Sequence, residues 1–74
     1  MKWHRGATPN HYVLTAGAYQ AVVWQPEGSD EWYSQVLHLG QVVQTATFPM
    51  LLVTQASCIV QILALQMPGE HLTP

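Results

Sequence analysis

The feature that most constrains this chain is a stretch without charged residues that runs from residue 32 to residue 69. Its second half, residues 48–69, reads FPMLLVTQASCIVQILALQMPG. A helix is predicted over residues 49–67, since Pro49 suits a first helical turn and Pro68-Gly69 would end the helix. A helix at the surface of a soluble domain normally shows charged residues to water. This helix therefore has to be covered by a membrane, by a partner chain or by the rest of its own domain.

The length of 74 residues predicts a single domain, residues 1–74, with a small core. Domains of this size commonly depend on disulfides, a metal or a partner for their stability. Cys58 is the single cysteine, which excludes an intrachain disulfide and the thiolate-rich zinc sites. Oligomerisation is the remaining means of stabilisation.

Charged side chains are scarce along the whole chain, at 8% of residues. Lys2 and Arg5 are the two basic residues and the net charge is −2, which argues against nucleic-acid binding because that requires Lys and Arg on the phosphates. Residues 6–17 do not form the apolar run of a secretory signal. Together with the free cysteine, this pattern predicts a cytoplasmic protein.

The first two thirds of the chain predict β-strands. Gly6, Pro9 and Asn10 are loop formers and indicate an irregular segment over residues 1–10. Runs rich in β-branched and aromatic residues follow within residues 11–48 and predict strands at 11–16, 18–25, 31–39 and 41–48. The acidic loop PEGSD, residues 26–30, separates the second strand from the third. Residues 68–74 are expected to form a loose tail.

The short links between these strands favour an antiparallel sheet. The predicted fold is an α+β two-layer domain, an antiparallel sheet of three or four strands followed by one C-terminal helix packed on one face. A two-residue turn at residues 39–40 would set His38 opposite Gln41, but it requires a positive φ at Leu39. A longer loop or a bulge is the alternative.

The order of short strands and one helix over residues 18–66 resembles the topology of two small families, the HicB-type antitoxin domains and the double-stranded-RNA-binding domains. The segment ATFPM, residues 46–50, lacks the acidic, turn-rich sequence that the first family has ahead of its helix. Residues 50–54 lack the lysines that the second has at its helix start. A shared topology does not assign a function, so neither family is inferred.

The predicted helix carries two apolar stripes when its residues are placed at 100° intervals. The stripe with core spacing is predicted to face the sheet and consists of Leu52, Ala56, Ile59 and Leu63. Polar residues mark the opposite side, namely Thr54, Ser57 and Gln61. Beside them lies the second apolar stripe of Leu51, Cys58, Ile62 and Leu65. Since one sheet face cannot easily cover both stripes, the second is a candidate interface with another chain.

Neither face of the predicted sheet is polar throughout, as a face in water would be. In residues 18–25, Ala21 and Val23 point to one side, and Val22 and Trp24 to the other. The pattern does not decide which side meets the helix, but it predicts that both are at least half buried. Val22 and Trp24 therefore join the candidate interface, with a second copy of the chain as the predicted cover. The alternative cover is the N-terminal segment with Trp3.

A membrane-spanning helix is disfavoured by length and composition. A span needs about 20 mainly apolar residues, whereas residues 50–65 provide 16 and are interrupted by Gln55 and Gln61. The sequence also has no basic residue near either end of the helix to orient it in a bilayer.

No set of residues has the spacing of a catalytic or metal site, so we expect no catalytic, cofactor-binding or metal-binding residues. The histidines lack the i, i+4 pairing of a metal motif, these being His4, His11, His38 and His71. Cys58 lies in mid-helix with no cation near it in the sequence to lower its pKa. Trp24, Trp32 and Tyr33 flank the PEGSD loop and indicate either a binding platform or cross-strand packing.

Three functions are compatible with these features. The first is a non-enzymatic interaction module that self-associates, as a homodimer, through apolar helix and sheet surfaces. The second is a small-ligand-binding or enzymatic domain with an aromatic-lined site near Trp24 and Trp32. The third is a membrane-associated microprotein. The surplus of apolar residues on the helix and on both sheet faces favours the first.

Overall fold

A computed structural model describes residues 2–66, which form one antiparallel sheet and one helix. The elements are β1 (Trp3–Arg5), β2 (His11–Ala16), β3 (Tyr19–Trp24), β4 (Trp32–His38), β5 (Gln41–Phe48) and α1 (Leu51–Gln66). The strands lie in the sheet in chain order, and each pairs with its sequence neighbour. The α+β fold with a C-terminal helix is therefore confirmed, and the predicted tail at 68–74 lies outside the described residues.

The sheet has five strands, not the three or four predicted. The additional strand is β1, within the segment that was expected to be irregular. It pairs with β2 so that Trp3 lies opposite Leu14, and Trp3 packs against the buried core. Three residues are too few to show the alternation that identifies a strand, and the loop-forming residues after Arg5 favoured the prediction of an irregular segment.

The core lies between one sheet face and the helix. Its buried apolar residues come from four elements and are Leu14, Ala21, Val23, Val36, Cys58 and Ile62. Two polar residues are buried with them and are hydrogen-bonded, which avoids the penalty of an unpaired buried hydroxyl. Ser34 Oγ donates to the Ala46 carbonyl at 3.2 Å, and Thr54 Oγ1 donates to the Met50 carbonyl at 2.8 Å.

The link between β4 and β5 is the two-residue turn, and it has the strained backbone that the sequence implied. Leu39 has φ 53° and Gly40 has φ 83°. His38 pairs with Gln41, as that turn requires. A register shift then occurs between Val36 and Leu37, so that the sheet contains both the tight turn and an irregularity next to it.

The register decides which sheet residues meet the helix. Ala21, Val23 and Val36 lie on the covered face, so the residues that alternate with them lie on the other one. We call this second surface the open sheet face. Its three central rows, read from β2 to β5, are His11–Trp24–Tyr33–Thr47, Val13–Val22–Gln35–Thr45 and Thr15–Gln20–Leu37–Val42.

Candidate interaction surfaces

The side of the helix that points away from the sheet is formed wholly by aliphatic residues. We call it the outward helix face, and it consists of Leu52, Val53, Ala56, Val60, Leu63 and Ala64, all of them exposed. Leu52 is 72% exposed and Val60 is 65% exposed. Surfaces of this kind are uncommon on monomeric proteins, because each exposed aliphatic side chain gives up the free energy that its burial would contribute.

The predicted orientation of the helix was wrong by about a third of a turn. The stripe predicted to face the sheet lies mostly on the outward helix face, and only Ile59 packs against the core. The stripe assigned to an interface points into the domain instead: Cys58 and Ile62 are 2% and 0% exposed, and Leu51 is half-buried. Leu65, the fourth residue of that stripe, remains 40% exposed.

The error came from treating Thr54 as a residue that faces water. Its hydroxyl is satisfied by a backbone carbonyl of its own helix, one turn earlier, so burial leaves no unpaired group. Cys58 likewise faces a polar partner in the core, the Ser34 hydroxyl. Because apolar residues surround most of the helix, a short polar side chain that bonds to its own backbone, Thr54, was a misleading marker of its orientation.

The open sheet face carries the two predicted interface residues from β3. Val22 and Trp24 are both half-buried and lie on adjacent rows of this face. They are surrounded by uncharged residues, some of them polar, such as Thr15, Gln20 and Thr45. The six predicted interface residues therefore do not form one surface, since Val22 and Trp24 lie on the open sheet face whereas Cys58 and Ile62 lie in the core. The exposed apolar residues of the helix are a different set, the outward helix face, on the opposite side of the molecule.

The aromatic residues near the acidic loop do not form one site. Trp24 stacks on Tyr33 on the open sheet face, with ring centroids 5.9 Å apart and planes at 25°. Trp32 lies on the covered face, where its ring is 6.2 Å from that of Tyr12. A single pocket lined by Trp24 and Trp32 is therefore wrong, because alternation along the sheet sends the two indoles to opposite faces.

Cys58 has the environment of a packed core thiol. Burial raises the pKa of the Cys58 thiol, and the hydrogen bond with Ser34 only partly opposes that rise. A thiol whose pKa is raised is neutral at physiological pH and is a poor nucleophile.

The described histidines lie on three different strands of the sheet. His4 and His11 belong to β1 and β2, whereas His38 stacks on Tyr19 with ring centroids 4.5 Å apart. Within residues 2–66, no group of three or more His, Cys, Asp or Glu side chains could hold a metal ion. His71 lies outside the described residues.

Among the residues that the structure describes, no helix has both the length and the apolar character needed to cross a membrane. Comparison with protein-family models, with curated proteins and with solved structures gives no match to this chain.

Proposed function

We propose that this protein is a non-enzymatic interaction module that forms a homodimer through its outward helix face. The observation that carries the proposal is the continuous exposure of aliphatic residues on the side of α1 away from the sheet. The face has no charged or polar side chain, so it offers no hydrogen bond or ion pair to a charged partner. A second copy presents the same chemistry, and a two-fold axis would bring the two faces together.

The spacing on this face supports a helix-to-helix contact. Leu52, Ala56, Val60 and Ala64 follow one another at intervals of four residues and form a ridge along the helix. Ridges at this spacing interdigitate in the commonest class of helix packing. Large and small residues alternate along the ridge, so that Leu52 and Val60 of one copy fit beside the alanines of the other.

The magnitude of the apolar contribution points to a weak dimer. Four large residues on the face are partly exposed, namely Leu52, Val53, Val60 and Leu63. Scaled by their exposed fractions, their burial on both copies contributes roughly 7–14 kcal/mol. Association costs about 4–15 kcal/mol in lost translational and rotational freedom. These similar values favour a dimer that dissociates on dilution.

The homodimer is tested by measuring mass in solution across a range of protein concentrations. We expect the wild-type mass to double as the concentration rises, and we expect Val60→Glu to remain a monomer because it places a charge in the apolar contact. Gln66→Glu is the matched control, because it adds the same charge to the same helix at an exposed residue that is already polar. A wild-type chain that stays monomeric at millimolar concentration would contradict the proposal.

Ile62→Asp is unsuitable for this test. Ile62 is fully buried on the side of the helix that packs against the sheet, so a carboxylate there would unfold the domain without reporting on association.

A cytoplasmic location remains part of the proposal, and the free thiol of Cys58 supports it because reduced cysteines persist in reducing compartments.

A further inference from the structure

The end of the open sheet face beside the acidic loop carries a groove that the proposed dimer leaves free. The groove has a volume of about 540 Å³ and is open to solvent. Thr8, Pro9 and Asn10 line it from the β1–β2 loop, and residues 24–27 line it from the end of β3. The helix covers the other face of the sheet, so the groove and the outward helix face lie on opposite sides of the domain.

Trp24 is the aromatic residue that lines the groove, and its stacking partner Tyr33 lies beside it on the same sheet face. Trp24 is half-buried and stacks on Tyr33, which is 36% exposed. The face of an aromatic ring carries partial negative charge and attracts a cation within about 6 Å of its centre, with Trp the strongest of the aromatic residues. Trp24 therefore favours a cationic ligand that also has an apolar surface.

Carboxylates beside the groove have the sign of charge that a cationic ligand requires. Glu27 lines the groove directly, and Asp30 and Glu31 follow it in the same loop. Among residues 2–66 the basic side chains are on Lys2 and Arg5, and Arg5 lines a neighbouring concavity that shares Thr8, Pro9 and Asn10 with the groove. The three carboxylates of the loop therefore outnumber the one basic side chain that lines this neighbouring concavity. His11 is the remaining titratable neighbour, because it pairs with Trp24 on the open sheet face.

Hydrogen bonds between and within the two loops hold the groove in shape. The Gln25 backbone N–H donates to the Asn10 carbonyl at 3.0 Å, and Asn10 Nδ2 donates to Gln25 Oε1 at 3.3 Å. The acidic loop is closed by a bond from the Ser29 N–H to the Pro26 carbonyl at 3.0 Å. A surface held in place before binding loses less conformational entropy when a partner docks.

We propose that this groove binds an arginine side chain of a basic partner peptide. A guanidinium is planar, so it lies flat on the Trp24 ring and at the same time donates hydrogen bonds to the Glu27 carboxylate. A lysine ammonium has the charge but not the planar face. The site does not depend on the proposed dimer, since it uses neither the helix nor any residue of the outward helix face.

The direct test is a titration with a short peptide in which arginines alternate with glycines. We expect binding that weakens with salt and that shifts the Trp24 indole N–H signal in NMR spectra, while the Trp3 and Trp32 signals stay in place. The same peptide with citrulline, which keeps the shape and loses the charge, should bind at least ten-fold more weakly. A lysine peptide should bind more weakly than the arginine peptide, by a factor of about two to five.

Substitutions distinguish binding in the groove from non-specific attraction between a basic peptide and the acidic loop. Glu27→Gln should lower the affinity about two- to five-fold, and Glu31→Gln, which removes the same charge outside the groove, should lower it less. Trp24→Leu should abolish the preference for arginine over lysine, and Val60→Glu should leave binding unchanged. Equal binding of the arginine and citrulline peptides, or equal effects of the two glutamine substitutions, would overturn the proposal.

Discussion

At the scale of single residues, Leu39 shows how the sheet tolerates an unfavourable backbone. Positive φ is disfavoured for residues with a bulky side chain, and a two-residue hairpin turn prefers Asn-Gly at these positions. Leu39 is also 74% exposed, so its side chain contributes little burial to offset the strain. The turn forms because the pairing of β4 with β5 and the adjacent Gly40 determine it.

Leu39→Asn should therefore stabilise the protein by about 1 kcal/mol, because Asn tolerates a positive φ better than Leu. The free energy of unfolding, measured by chemical denaturation, gives the comparison. Leu39→Val is the matched control and should destabilise, since a β-branched residue is least compatible with this conformation. If Asn and Val had equal effects, the positive φ would not be the source of the strain.

Cys58 makes stability depend on pH in a defined direction. Its pKa is raised in the folded state, so the folded chain keeps the proton where the unfolded chain has lost it. The resulting stability is fully present below about pH 8.5, the ordinary pKa of an unfolded thiol, and is lost as the pH rises through the folded value. Between pH 7 and pH 10, we expect the wild type to lose more free energy of unfolding than Cys58→Ala. Parallel losses in the two proteins would contradict a buried neutral thiol.

At the scale of elements, the two sides of α1 should respond differently to truncation. Ile62→Ala removes a fully buried side chain and should destabilise the domain by about 2–5 kcal/mol. Val60→Ala removes an exposed one and should change the stability of the monomer by less than about 0.5 kcal/mol. Thermal unfolding at low protein concentration makes the comparison. Equal losses at the two positions would mean that the helix packs with a different side against the sheet.

The strands and the helix could largely be predicted from the sequence, whereas the side of each element that is buried could not. Strands β2 to β5 and the helix follow from runs of β-branched and aromatic residues and from the prolines around the helix. Strand β1 was too short to carry a pattern. The orientation of the helix required the hydrogen bond of Thr54, which composition does not show because the partner is a backbone carbonyl.

The sequence predicted that apolar surface would remain exposed, but it did not predict which residues form that surface. An excess of apolar residues over what one small domain can bury follows from the sequence alone, and the structure still leaves Leu52 and Val60 exposed. Which stripe remains outside depends on the rotation of α1 about its own axis, which the sequence did not determine because both stripes are mainly apolar. The pairing of Trp24 with Tyr33 rather than with Trp32 likewise depends on strand register, which fixes the face of each side chain.

At the scale of the whole molecule, the sheet and helix form two layers whose outer surfaces differ in chemistry. The outward helix face is wholly aliphatic, and the open sheet face combines apolar, aromatic and uncharged polar residues with an acidic loop at one end. The two proposals place self-association on one side of the domain and a cationic partner on the other. The two proposals can therefore fail independently of each other.

The most direct measurement of the central claim is an NMR experiment on a mixture of isotopically labelled and unlabelled chains, which detects only contacts between copies. We expect contacts among the methyl groups of Leu52, Ala56 and Val60 across the two copies, at concentrations where the mass has doubled. Contacts between copies that involve only open-sheet residues such as Val22, or a doubled mass without any contact from the helix, would contradict the account.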